Sequence, residues 1–99
     1  MIHVIAILQT KPGMRDAVLE AVEANLAAVR AEDGCIAYGP AIDFEGSSDK
    51  LGPDTFVVVE QWESPEALKA HAASPHMAAF GARVKDMLVS RAIHVLTPC

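Results

Sequence analysis

The sequence predicts an α+β fold of split βαβ, ferredoxin-like plan, β-α-β-β-α(α)-β. Two observations carry this. The hydrophobic period switches between strand-like and helix-like several times along the chain, and two Ser-Pro pairs mark helix starts late in it. A length of 99 residues sets the scale at one domain, residues 1–99, burying roughly 60–70% of its unfolded surface.

Residues 2–10, IHVIAILQT, are β-branched and apolar, and stop at Lys11-Pro12-Gly13, a turn signal. From about Pro12 to Glu32 the apolar residues Met14, Val18, Val22, Leu26 and Val29 recur at helical spacing. Arg15, Asp16, Glu20, Glu23 and Arg30 are left for the wet side, and Gly34 ends the helix. The second extended piece, CIAYGPAIDF, contains Gly39-Pro40, which predicts a bulge or an edge position. Residues 45–54, EGSSDKLGPD, are a polar surface loop. TFVVVEQWE is the strongest strand. Ser64-Pro65 opens a helix through about His71, and Ser74-Pro75 another through about Met87. LVSRAIHVLT closes the chain as a strand.

In TFVVVEQWE one face carries Phe56, Val58, Glu60 and Trp62, and the other Thr55, Val57, Val59 and Gln61. The middle is apolar on both faces, as is IAIL of the first strand. Helices cover one face of such a sheet; the other would be a large exposed apolar patch. A sheet-to-sheet homodimer is the expected solution.

Composition removes several classes. The hydrophobic fraction is 52% but aromatics are only 5%, so aliphatic side chains build the core. Eight basic and thirteen acidic residues give a net charge of −5 with no Lys/Arg cluster, which argues against nucleic acid and anionic membranes as partners. No apolar run reaches the roughly 18 residues of a membrane span. The apolar start lacks a basic n-region and a cleavage site and is not a signal peptide. Cys35 and Cys99 form neither a disulfide framework nor a metal spacing, which fits a reducing cytoplasm. No phosphate-cradling glycine loop, HExxH, CxxC or Gly-x-Ser-x-Gly occurs, so nothing calls for a bound cofactor or metal.

The candidate chemistry gathers in EQWESPEALKAHAASPHMAAF, residues 60–80, which holds the single tryptophan and two of the four histidines. His71 and His76 are five residues apart, not the i, i+4 pair of a zinc helix. His71 falls at a helix C-terminus, where the macrodipole favours imidazolium, and His76 in the first turn of the next helix, where it disfavours it. Such a pair can divide acid and base roles. The plain alternative is a helix cap and a surface residue. Trp62 shares a face with Glu60, and burial there would raise the carboxyl toward a useful base. The plain alternatives are a core indole and a carboxylate at the sheet's rim. Tyr38, the lone tyrosine, is a phenol donor or a packing residue.

GCxxYxPxxD at 34–43, PDTFVVVEQWES at 53–64, AHAASPHM at 70–77 and the closing IHVLTP at 93–98 resemble the antibiotic biosynthesis monooxygenase superfamily. Within it they look most like the small bacterial quinol monooxygenases. The resemblance implies a dimeric α+β barrel, with a pocket between sheet and helices in each subunit. It also implies cofactor-independent oxidation of quinols or related aromatic diols by O₂. In that frame His71 or His76 is the base, Trp62 the flat wall, and Tyr38 and Glu60 orienters, with Met77 and Phe80 binding the ring. Haem-degrading members carry an asparagine on the first strand; here Asn25 lies in the long helix, which sets haem degradation aside. Polyketide-tailoring members carry one four residues before the tryptophan, where this chain has Val58. The alternatives are an isomerase or degradation enzyme for a small signalling compound, and a non-catalytic ligand-binding or stress-response dimer.

Overall fold

The computed structural model describes residues 1–99. Four strands and three helices follow in the order β1 (Ile2–Thr10), α1 (Arg15–Arg30), β2 (Cys35–Ala41), β3 (Thr55–Trp62), α2 (Pro65–Ala72), α3 (Pro75–Val84) and β4 (Leu88–Leu96). The sheet is antiparallel with strand order β2-β3-β1-β4. This is the split βαβ arrangement, in which α1 and then α2–α3 each carry the chain over an intervening strand. No helix is long and apolar enough to cross a membrane.

Register places the core. Val4, Ala6 and Leu8 of β1 stand opposite Glu60, Val58 and Phe56 of β3, and all six are buried under the helices. Val18, Ala21, Val22 and Val29 form the buried stripe of α1 that meets them. On the far face Ile5, Ile7 and Val57 are half-buried, and Val59 is exposed. The helices therefore cover one face of a sheet that is apolar on both. β4 pairs with β1 through Val95, Ile93 and Arg91 on the helix side, yet every β4 residue beyond Leu88 is exposed.

The helix ends differ from the spacing-based expectation where turns intervene. α1 begins at Arg15, not Pro12, because Gly13 holds a positive φ of 78° and the Met14 amide closes a turn on the Lys11 carbonyl. α3 stops at Val84, not Met87: the Met87 amide turns back onto the Val84 carbonyl, and its own carbonyl accepts from the Lys11 amide. Both Ser-Pro starts hold, with Ser64 Oγ accepting from the Ala67 amide and Ser74 Oγ from the Met77 amide. β2 is an edge strand as expected, but its register shift falls between Cys35 and Ala37 and not at Gly39-Pro40.

Candidate active site

Three connections bring the chemistry together. Gly34, just past α1, adopts φ 83°, and a Cβ there would lie 2.5 Å from the Ala67 Cβ of α2. Only glycine permits both the conformation and the approach. His71 lies one helical turn beyond Ala67 on the same face of α2, which sets it beside Glu32. Ser74 then ties the end of α2 to the start of α3, since both its amide and its hydroxyl donate to the His71 carbonyl. Asn25 of α1 donates to the His76 carbonyl at 3.1 Å, fixing α3 against α1.

One carboxylate oxygen collects both imidazoles. His71 Nδ1 lies 2.8 Å and His76 Nε2 2.9 Å from Glu32 Oε2. A carboxylate oxygen accepts, so the network assigns the proton of His71 to Nδ1 and that of His76 to Nε2. His71 Nε2 makes no hydrogen bond within the protein, which leaves a lone pair for a ligand.

His71 also lies against aromatic rings. Its imidazole sits 4.6 Å from the Trp62 ring, tilted by 34°, and meets Tyr38 edge-on at 5.5 Å. The Trp62 indole donates from Nε1 to Glu60 Oε1 at 2.9 Å, two residues back on the same strand face. Tyr38 of β2 stands directly opposite Glu60. Burial pushes the Glu60 carboxyl above its ordinary value, against the downward pull of the Trp62 N–H and of His71. Burial, then the charges of Glu60 and Glu32, likewise push the Tyr38 phenol up, so it remains a donor through the neutral range. Its hydroxyl is engaged by no protein hydrogen bond.

These groups open on a mostly apolar cavity of about 400 Å³ between sheet and helices. Tyr38, Glu60 and His71 supply polar atoms, and Leu68, Met77 and Phe80 part of the apolar lining. Ile93 and Val95 of β4 continue the wall at 52% and 54% exposure, so the cavity opens on the β4 side. Arg91, opposite Leu8, also lines it. It stands four residues along the strands from the row of Tyr38, Glu60 and Val4, about 13 Å away.

Of the residues singled out in the sequence, Tyr38, Glu60, His71, Met77 and Phe80 line the cavity together. Trp62 and His76 do not. Trp62 has no exposed surface and lies behind His71, so it holds the imidazole and not a ligand. His76 lies behind Glu32, partly open to solvent. Glu32 was missed, though its position carries a signal: an acid just beyond a helix C-terminus opposes the macrodipole and calls for a partner elsewhere. Glu32, His71 and His76 also offer three metal-ligating atoms within 4.8 Å of one another, from three separate elements that a within-helix spacing does not detect.

A split βαβ domain with a mostly apolar cavity beside a carboxylate–imidazole pair defines a small α+β protein with a pocket of the size that small molecules occupy. More particularly, the chain belongs to the antibiotic biosynthesis monooxygenase family, whose family model matches residues 1–83. It is 38% identical over 102 residues to the Escherichia coli protein named "Probable quinol monooxygenase YgiN", covering 99% of this chain and 98% of that one. Among solved structures, Rv0793 from Mycobacterium tuberculosis superposes with a TM-score of 0.83 at 31% identity, covering 99% of this chain and 94% of that one. PA3566 from Pseudomonas aeruginosa gives 0.83 at 28%, covering 99% and 93%.

Proposed function

We propose that this chain is a cofactor-independent quinol monooxygenase, using O₂ to oxidise a hydroquinone or related electron-rich aromatic diol in the cytoplasm. The observation that carries the reading is the Glu32–His71 pair, with His71, whose Nε2 has no protein partner, lining a mostly apolar cavity. The family supports monooxygenase chemistry, and the E. coli relative named "Probable quinol monooxygenase YgiN" supports the substrate class.

His71 Nε2 takes the proton of a ring hydroxyl, and Glu32 stabilises the imidazolium that forms, as a buried acid does behind a catalytic histidine. The Tyr38 phenol, held protonated, donates to an oxygen of the resulting anion. The anion passes one electron to O₂, giving semiquinone and superoxide, which recombine by forming a C–O bond inside the apolar cage of Leu68, Met77 and Phe80. The peroxide then loses water. The balance is one quinol and one O₂ to one hydroxylated quinone and one water. His76 holds Glu32 from the side opposite the cavity, and Trp62 fixes the plane of His71.

The reading extends to a homodimer formed through the uncovered sheet face. Ile5, Ile7, Val57 and Val59 give that face an apolar surface of the kind soluble monomers seldom leave open.

Oxygen uptake by metal-stripped protein with a reduced naphthoquinone, against a protein-free autoxidation blank, tests the function. Uptake well above the blank, with a hydroxylated product and no oxygen returned by catalase, is the expected result. Uptake equal to the blank would contradict it. Saturable quinone binding without turnover would point instead to a ligand-binding dimer.

A further inference from the structure

We propose that Glu32, His71 and His76 form an inhibitory binding site for a first-row divalent cation such as Zn²⁺ or Co²⁺. The donor set is the first argument. Two imidazole nitrogens and a carboxylate oxygen suit borderline divalent ions, and they come from the turn after α1, the end of α2 and the first turn of α3.

Geometry is the second. An ion bound tetrahedrally at about 2.0–2.2 Å from each atom sets neighbouring donors about 3.3–3.6 Å apart. Glu32 Oε2 already stands 2.8 and 2.9 Å from the two nitrogens, so each of these separations needs to widen by only about half an ångström. The nitrogens lie no more than 4.8 Å from each other, and His76, the more exposed of the two, can turn to close what remains. Access is the third. The Glu32 and His76 side chains are 15% and 28% exposed, so an ion arrives from solvent without passing through the cavity.

The consequence for His71 follows from bookkeeping of protons. Without the ion, Nδ1–H of His71 and Nε2–H of His76 donate to Glu32. A cation takes the lone pairs of those same nitrogens, so each neutral ring carries its proton on the other nitrogen. No proton is released, and the site gains the charge of the ion. His71 Nε2 then presents N–H to the cavity in place of a lone pair. The base becomes a donor, and proton abstraction stops. This inhibition rests on the proposed role of His71; the metal site itself does not.

Isothermal titration of Zn²⁺ into the metal-stripped full chain tests the site, with Glu32→Gln, His76→Asn and His94→Ala as variants. His94 lies on β4 opposite Ile5, away from the cluster. The expected result is one strong site per chain, weakened at least about tenfold by Glu32→Gln or His76→Asn and unchanged by His94→Ala; loss of outer-shell partners alone costs that much. His76→Asn, on the solvent side, keeps the test usable if Glu32→Gln folds poorly. Identical binding by all four proteins, or no binding by the wild type near ~1 mM Zn²⁺, would overturn the site. The switch is read separately: oxygen uptake should fall over the Zn²⁺ range in which the site fills, and return with a chelator. A filled site with undiminished uptake would overturn the switch. If no uptake above the blank is found at all, the quinol reading fails while the titration still decides the metal site.

Discussion

Gly34 and Ala67 meet so closely that a methyl group on the glycine would lie 2.5 Å from the alanine Cβ. That contact fixes how far apart α1 and α2 stand, and one turn along α2 it fixes the 2.8 Å contact between Glu32 and His71. The glycine's positive φ of 83° turns the chain out of α1, and its carbonyl accepts from the Glu63 amide at 2.8 Å, joining the end of β3 to the same corner. A packing constraint in the scaffold thereby sets a polar distance in the site.

Gly34→Ala should consequently damage both stability and site. Strain at positive φ and a clash with an alanine that cannot rotate away together cost about 2–4 kcal/mol, a drop in Tm of at least roughly 10 °C for a chain of this size. Gly13→Ala provides the comparison. It has the same φ problem but nothing within 4 Å of an added Cβ, so it should cost about 1 kcal/mol. Thermal melts of both variants check this, and equal losses would remove the packing argument.

Glu60 should cost the protein stability at neutral pH and cease to do so in acid. Burial raises its folded pKa above the unfolded value, so the stability it permits is fully present below the unfolded pKa and is lost as pH rises through the folded one. Glu60→Gln keeps an oxygen to accept from the Trp62 indole and removes the buried charge. Its Tm should exceed that of the wild type at neutral pH, with the difference shrinking as pH falls through the Glu60 titration. A difference independent of pH would contradict the assignment.

Asp43 should show the opposite sign. Its two carboxylate oxygens accept from the Leu51 and Gly52 amides at 2.9 Å each, and these bonds hold its pKa below the ordinary value. A lowered folded pKa gives stability that is present above the unfolded value and lost as pH falls through the folded one. Asp43→Asn should loosen the loop of residues 44–54 at neutral pH, seen as faster amide exchange at Leu51 and Gly52. The gap from the wild type should close in acid.

Much of the fold was legible because local rules and tertiary packing agree. The turn at Lys11-Pro12-Gly13, the stripe from Val18 to Val29 and the serines at positions 64 and 74 each specify an element without long-range help. The site was legible only in outline. Alternation along β3 gave the face shared by Glu60 and Trp62, but it cannot say how deep a side chain lies. Whether the indole meets a ligand or His71 depends on where α2 packs. Glu32 was illegible for a related reason, being 39 residues from His71 and joined to it only through the approach of Gly34 to Ala67. His76 was placed in the correct turn of α3, but which way it faces is set by that same carboxylate.

In the proposed reaction His71, backed by Glu32, removes the proton that starts oxygen chemistry. The most direct measurement is the rate of quinol-dependent oxygen uptake by the wild type, Glu32→Gln, His71→Ala and the double variant. His71→Ala should lose roughly 10²–10⁴-fold, and Glu32→Gln should lose less. The double variant should be no worse than His71→Ala alone, because the two residues act as one unit. Loss under about threefold for His71→Ala, or losses that simply multiply in the double variant, would contradict it.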